Sequence, residues 1–297
     1  MYAFTATKHH RLLDLGPHWV RQVRNDISPD LTLRLSRLSE QDLDSLLTLG
    51  HLLAWRAPAG ADTPAYLAWC QSLSSGDLYE AVADAYVSGH AIPANLAELR
   101  DTLVDLLTAW NAEYFLRLDV SLHAGLASEA AALRARLPAA DPQALVEEVS
   151  SGVVLLPSGE VSTVILVPQH HLRPWTLISP YKGTTFVLFP RETAEAPPGE
   201  APPKLVRAVK ALGDAGRLRM LRFLEGKERS FSEIVTELGL ANATVNYHLG
   251  MLRAAGLVRV LSDVTGRGPM RYTLRSSALS SVLQDTAEYV GPNPRED

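Results

Sequence analysis

Residues 214–258 read DAGRLRMLRFLEGKERSFSEIVTELGLANATVNYHLGMLRAAGLV, and the fold is decided there. Asp214 suits a helix N-cap, because a short carboxylate accepts from the free N–H groups of the first turn. Leu218, Leu221 and Leu224 then recur at helical spacing until Gly226 ends the run. Ser230 followed by Glu233 has the capping-box spacing and opens a second helix, with Ile234, Val235 and Leu238 directed inward. Gly239 supplies a turn. In the next helix Val245, Leu249 and Leu252 form the buried stripe, and Gly256 stands where a C-cap is expected.

Just upstream, residues 204–212 form a helix with Leu205, Val209 and Leu212 on one face. Just downstream, 257–261 and 270–274 are β-type runs flanking SDVTGRGP, a loop with two glycines, Arg267 and a proline. Helix, turn, helix and hairpin in that order is a winged helix-turn-helix. Its second helix must be held rigidly by the first while its other face stays free to enter a major groove wide enough for one helix. The buried stripe leaves Asn242, Ala243, Thr244, Asn246, Tyr247 and His248 on the open side and the N-terminal turn. Small, amide and hydroxyl side chains approach base edges there, and Asn has the donor and acceptor for a bidentate contact to adenine. His248 reads as a wedge against the domain or a phosphate contact. Arg267, between Gly266 and Gly268, is placed for phosphate or a narrow minor groove. Arg217, Arg219, Arg253 and Arg271 are weaker candidates for backbone contacts.

The charge distribution agrees. The whole chain carries −5, yet residues 204–275 hold 13 Lys/Arg against 6 Asp/Glu, a surplus of +7. Residues 1–203 hold 14 against 23. A basic segment on an acidic body suits a nucleic-acid-binding module attached to a separate domain.

The stretch VKALGDAGRLRMLRFLEG, with FSEIVTELGLANATVNYHLGMLRAAGLVRV and GRGPMRYTL, resembles the ArsR/SmtB family of bacterial repressors. Its T-V-x-x-H-L-x-x-L-x-x-A-G-L-V pattern is realised by Thr244, Val245, His248, Leu249, Leu252, Ala255, Gly256, Leu257 and Val258. The resemblance spans about 204–275. It implies a double-stranded DNA-binding repressor acting as a homodimer, with help from a helix over 277–290, so that two recognition helices meet a two-fold operator. Two features depart from the family. FSEIVTELG lacks the cysteines and ALSSVLQDTAEYV the histidines with which family members bind metals, so neither usual metal site is supported. Ala241 also stands where a serine often caps the recognition helix, which leaves Asn242 as the expected cap.

The remainder gives a mainly α, α+β chain in three parts: a helical plus β domain over 1–190 for dimerisation or effector sensing, a Pro-rich linker over 191–203 (RETAEAPPGEAPP), and the winged helix over 204–290. Leu43, Leu46, Leu47 and Gly50 mark one upstream helix, which Ser39 starts. Leu96, Leu99, Leu103, Leu106, Leu107 and Trp110 mark another. Residues 34–38 are a further strand candidate. Strands are expected over 153–156, 161–167, 175–179 and 184–189, as a small antiparallel sheet packed on the helices. The helical domain, with ILVPQHHLRPW and the strands after it, looks like a poorly characterised domain that precedes the winged helix in some bacterial regulators.

A single cysteine, Cys70, excludes a disulfide within the chain and any multi-cysteine metal site within it. His9–His10 and His170–His171 read as surface or packing residues, because adjacent histidines on a strand point to opposite sides. No cofactor is expected. Trp55, Trp69, Trp110, Tyr114, Phe115 and Trp175 are either core or the lining of a pocket for an unidentified small-molecule effector. No nucleophile elbow, P-loop, dinucleotide fingerprint or H-E-x-x-H is present, so catalysis is not expected. With no apolar run of membrane length, the chain is read as cytoplasmic. The alternative to DNA binding is a winged-helix protein-interaction module.

Overall fold

The computed structural model describes residues 1–5, 13–86, 95–156, 163–181, 183–191, 200–263 and 269–291. The chain divides into two compact units, Met1–Gly125 and Leu126–Asp297. The expected linker falls largely outside the described residues, as do Arg267, His9 and His10.

The first unit is helical. It comprises α1 (Tyr2–Thr5), α2 (Gly16–Asp26), α3 (Pro29–Ser36), α4 (Glu40–Arg56), α5 (Thr63–Ser72), α6 (Ser75–Tyr86), α7 (Leu96–Glu113) and the start of α8 (Val120–Arg136). The helix α7 packs against α3, α4, α5 and α6, and the leucines read from the sequence include Leu43, Leu46, Leu103 and Leu106 in the core. Ser39 and Asp42 form a complete capping box at the start of α4. The strand expected over 34–38 is instead the end of α3 and the residues after it. Ser28 caps that helix by accepting from Leu31 N–H, and Pro29 fixes its first turn. Long-range polar contacts tie the C-terminal end of α7 to α2 and to the start of α3: Trp19 Nε1 donates to Tyr114 Oη at 2.9 Å, and Ser28 N–H donates to Glu113 Oε2 at 2.6 Å. Trp110 and Tyr114 are core residues, whereas Trp55, Trp69 and Phe115 are only partly buried.

The second unit continues through α9 (Pro142–Val149), β1 (Val153–Leu156), β2 (Thr163–Gln169), β3 (Leu177–Tyr181) and β4 (Thr184–Pro190). It then runs through α10 (Pro203–Leu212), α11 (Ala215–Leu224), β5 (Arg229–Ser230), α12 (Phe231–Leu238), α13 (Asn242–Ala254), β6 (Val258–Asp263), β7 (Arg271–Leu274) and α14 (Ser276–Val290). The sheet expected to be antiparallel is mixed: β2 pairs parallel with β4, and β3 pairs antiparallel with β4. More unexpectedly, β1 leaves that sheet and pairs parallel with β6, giving a four-stranded sheet in the order β1-β6-β7-β5. Gly152 makes this junction. Its φ is +122°, and a Cβ there would lie 2.8 Å from the Val258 carbonyl oxygen, so only a glycine backbone fits. Val260 N–H donates to the Gly152 carbonyl at 2.8 Å.

One continuous core holds the winged helix, including Ala208, Ala211, Met220, Leu224, Ile234, Val245, Leu252, Leu257 and Val260. Two apolar expectations change here. Val209 and Leu218 are exposed, because α10 packs through Leu205, Ala208 and Ala211, and α11 through Met220, Leu221 and Leu224.

Candidate nucleic-acid interface

The helix α13 is held from behind. Val245, Leu249 and Leu252 are essentially fully buried, and α13 packs against α10, α11, α12 and β6. Its C-terminus is tied off by a Schellman arrangement, with Gly256 N–H donating to Arg253 O at 2.9 Å and Leu257 N–H to Leu252 O at 3.0 Å. Arg207 Nε donates to Ala254 O at 2.9 Å, placing a cation at the negative end of the helix dipole.

The preceding helices are fixed by the caps read from the sequence. Asp214 accepts from Arg217 N–H at 2.9 Å, which holds its carboxyl below the usual range. Ser230 and Glu233 form a complete capping box. Hydrogen bonds from Ser230, with Arg229 beside it, lower the Glu233 carboxyl to about 2. Gly239 closes α12 in the left-handed conformation.

On the outward side, Asn242, Ala243, Thr244, Asn246 and Tyr247 are all exposed, Tyr247 by 51%. Asn242 is not the cap. Ala241 occupies that position without a side-chain hydrogen bond, and Asn242 is the first helical residue with its amide uncommitted to capping. His248 is the wedge: its side chain is 12% exposed and Nδ1 lies 3.9 Å from Asp214 Oδ1. It packs toward Gly216, where a Cβ would come 3.3 Å from Nε2.

The arginines separate into two groups. Arg219 and Arg271 are exposed, Arg271 lying 3.6 Å from Glu228. Arg217 is a correction. It is buried and donates to Ala211 O at 2.6 Å and Lys210 O at 2.9 Å, closing the C-terminus of α10 rather than facing solvent. Arg253 is also turned inward. It lines a crevice with Pro174, Trp175 and Thr176, and burial lowers its pKa from the ordinary arginine value. Exposed Arg222 and Lys227 were not singled out from sequence. Trp175, read from sequence as core or pocket lining, has its ring against Gly250 of α13, a contact the sequence reading did not anticipate. Among the described residues, no group of three or more His, Cys, Asp or Glu is placed to hold a metal ion. No helix among them is long and apolar enough to cross a membrane.

A positioned helix with an open polar face, backed by a second helix and followed by a two-stranded wing, defines a winged-helix DNA-binding protein. The profile of the bacterial regulatory proteins of the arsR family matches residues 214–260. The HTH-type transcriptional regulator KmtR of Mycobacterium tuberculosis is 32% identical over 91 residues, which are 30% of this chain and 68% of that protein. Among solved structures, an ArsR-like transcriptional regulator from Rhodococcus sp. RHA1 is 30% identical, over 30% of this chain and 79% of that one, with a TM-score of 0.26. HlyU from Vibrio cholerae is 28% identical, over 29% of this chain and 91% of that one, with a TM-score of 0.24. The chain belongs to the ArsR family of bacterial regulatory proteins, and it is a DNA-binding transcriptional regulator.

Proposed function

We propose that residues 204–290 bind a two-fold operator as a homodimer, with α13 of each protomer in a major groove, and that the protein represses transcription. The carrying observation is the outward row Asn242, Ala243, Thr244, Asn246 and Tyr247 on a helix whose opposite face is locked into the core. His248 holds the helix against α11, Arg219 and Arg271 neutralise backbone phosphates, and the wing residue Arg267 reaches the backbone or minor groove. Dimerisation through α10 and α14 is supported by exposed Val209, Leu283, Tyr289 and Val290. The two helices also border a groove of about 440 Å³ lined by Leu205, Ala208, Val282 and Tyr289. The protein then works in the cytoplasm, where the DNA is.

The test is binding to the DNA upstream of its own gene and to scrambled DNA of equal length, across a salt series. Preference for the native sequence, with affinity falling linearly on log–log axes as salt rises, is the expected result. Salt-insensitive binding, or none at low salt, overturns the reading in favour of a protein partner. Candidate small molecules added to the same assay identify an effector as the one that changes the affinity.

A further inference from the structure

The outward face of α13 is not open along its whole length. Gly250 follows Asn246 by four residues and Ala243 by seven, so it shares their face. A Cβ at Gly250 would meet the Trp175 ring at 3.4 Å. One turn further, Ala254 on the same face is buried.

The covering segment comes from far upstream and is built to stay. Gln169 staples its loop, donating from Nε2 to Trp175 O at 2.9 Å and accepting Leu172 N–H at 2.8 Å. Ser151, with a positive φ of 57°, presents its Cβ 3.3 Å from where a Gly256 Cβ would lie. Two glycine notches, 250 and 256, thus receive Trp175 and Ser151 on either side of Arg253. The crevice between them holds only about 20 Å³ of space, so it is a packed joint and not a ligand pocket. Glu147 closes the joint, with Oε1 2.6 Å from Arg259 Nε and 3.3 Å from Arg275 Nε.

An α-helix with its side chains is about 10–12 Å across, and the major groove is about 12 Å wide. A helix thickened by an indole on its outward face does not fit. We propose that Trp175 is a positioning residue for DNA recognition: seated on Gly250, it fixes the depth and tilt of α13 so that only the first two turns, Asn242 to Tyr247, enter the groove. This rests on the proposal that α13 reads bases. It adds that the specificity of the winged helix is set in part by a side chain outside it.

The experiment compares full-length wild type, Trp175→Ala, Trp175→Phe and Gly250→Leu. Each is measured by fluorescence anisotropy on a duplex selected by the wild type from a random pool and on a scrambled duplex, with circular dichroism and thermal melting as fold controls. For folded Trp175→Ala, the ratio of selected to scrambled affinity falls about tenfold, the worth of one well-placed base contact. Affinity for scrambled DNA and its salt slope stay within twofold, Trp175→Phe restores most of the ratio, and Gly250→Leu, which pushes the ring away, reproduces the loss. An unchanged ratio in Trp175→Ala, or equal losses on both duplexes, overturns the positioning role. A wild type that selects no sequence overturns the base-reading proposal as well, so the two failures are told apart.

Discussion

The two halves of α13 are built from the same helix and do opposite things. The first two turns carry five exposed residues, Asn242, Ala243, Thr244, Asn246 and Tyr247. The last two turns are hemmed in by Arg207 at Ala254 O, by Trp175 at Gly250 and by Ser151 at Gly256. A reading surface must stay uncommitted to meet a ligand, whereas the orientation of that surface has to be fixed in advance, since ordering it on binding would cost affinity. Under the proposed function, the helix divides these two demands along its length.

The largest effect should come from breaking the anchored half. Leu252→Ala removes a fully buried side chain and should destabilise the winged helix by about 2–5 kcal/mol, measured by denaturant unfolding; a loss under about 1 kcal/mol would mean this half collapses around the cavity. Next comes the reading half. Asn246→Ala should leave the unfolding free energy nearly unchanged while costing about 1–3 kcal/mol of discrimination between preferred and altered DNA; retained preference would remove Asn246 from the interface.

A smaller effect is expected where the upstream segment meets the wing. Glu147→Gln weakens the pairs to Arg259 and Arg275, and because these pairs are partly exposed the cost should be about 0.5–1 kcal/mol in a thermal melt.

The subtlest test is pH. Burial, with Arg173 and Arg191 nearby, lowers the His170 pKa from 6.5 to about 4. The unfolded chain therefore binds the extra proton first, so this contribution to stability is complete above pH 6.5 and is lost as pH falls toward 4. In His170→Gln the melting temperature should fall less over that window than in the wild type. Parallel curves would show that His170 does not carry the sensitivity.

Most of the winged helix was legible in the chain. The caps at Asp214 and Ser230, the left-handed Gly239 and the stripe of Val245, Leu249 and Leu252 all follow from contacts within a few residues, and local periodicity reports those directly. The misreadings have tertiary causes. Arg217 looked exposed, but its guanidinium folds back onto the carbonyls that end α10. Arg253 looked exposed as well, until the upstream loop covered it. Asn242 is freed because the backbone enters α13 one residue earlier than the side-chain chemistry suggested.

The sequence by itself determined a basic winged helix-turn-helix whose second helix keeps an exposed polar face, because helix caps and 3.6-residue periodicity act over short distances along the chain. Only the tertiary structure decided that β1 joins the wing and that Trp175 lies on α13. Strand pairing and side-chain contact between residues 75 or more positions apart leave no period to read. They are set by which surfaces close best once the chain has folded.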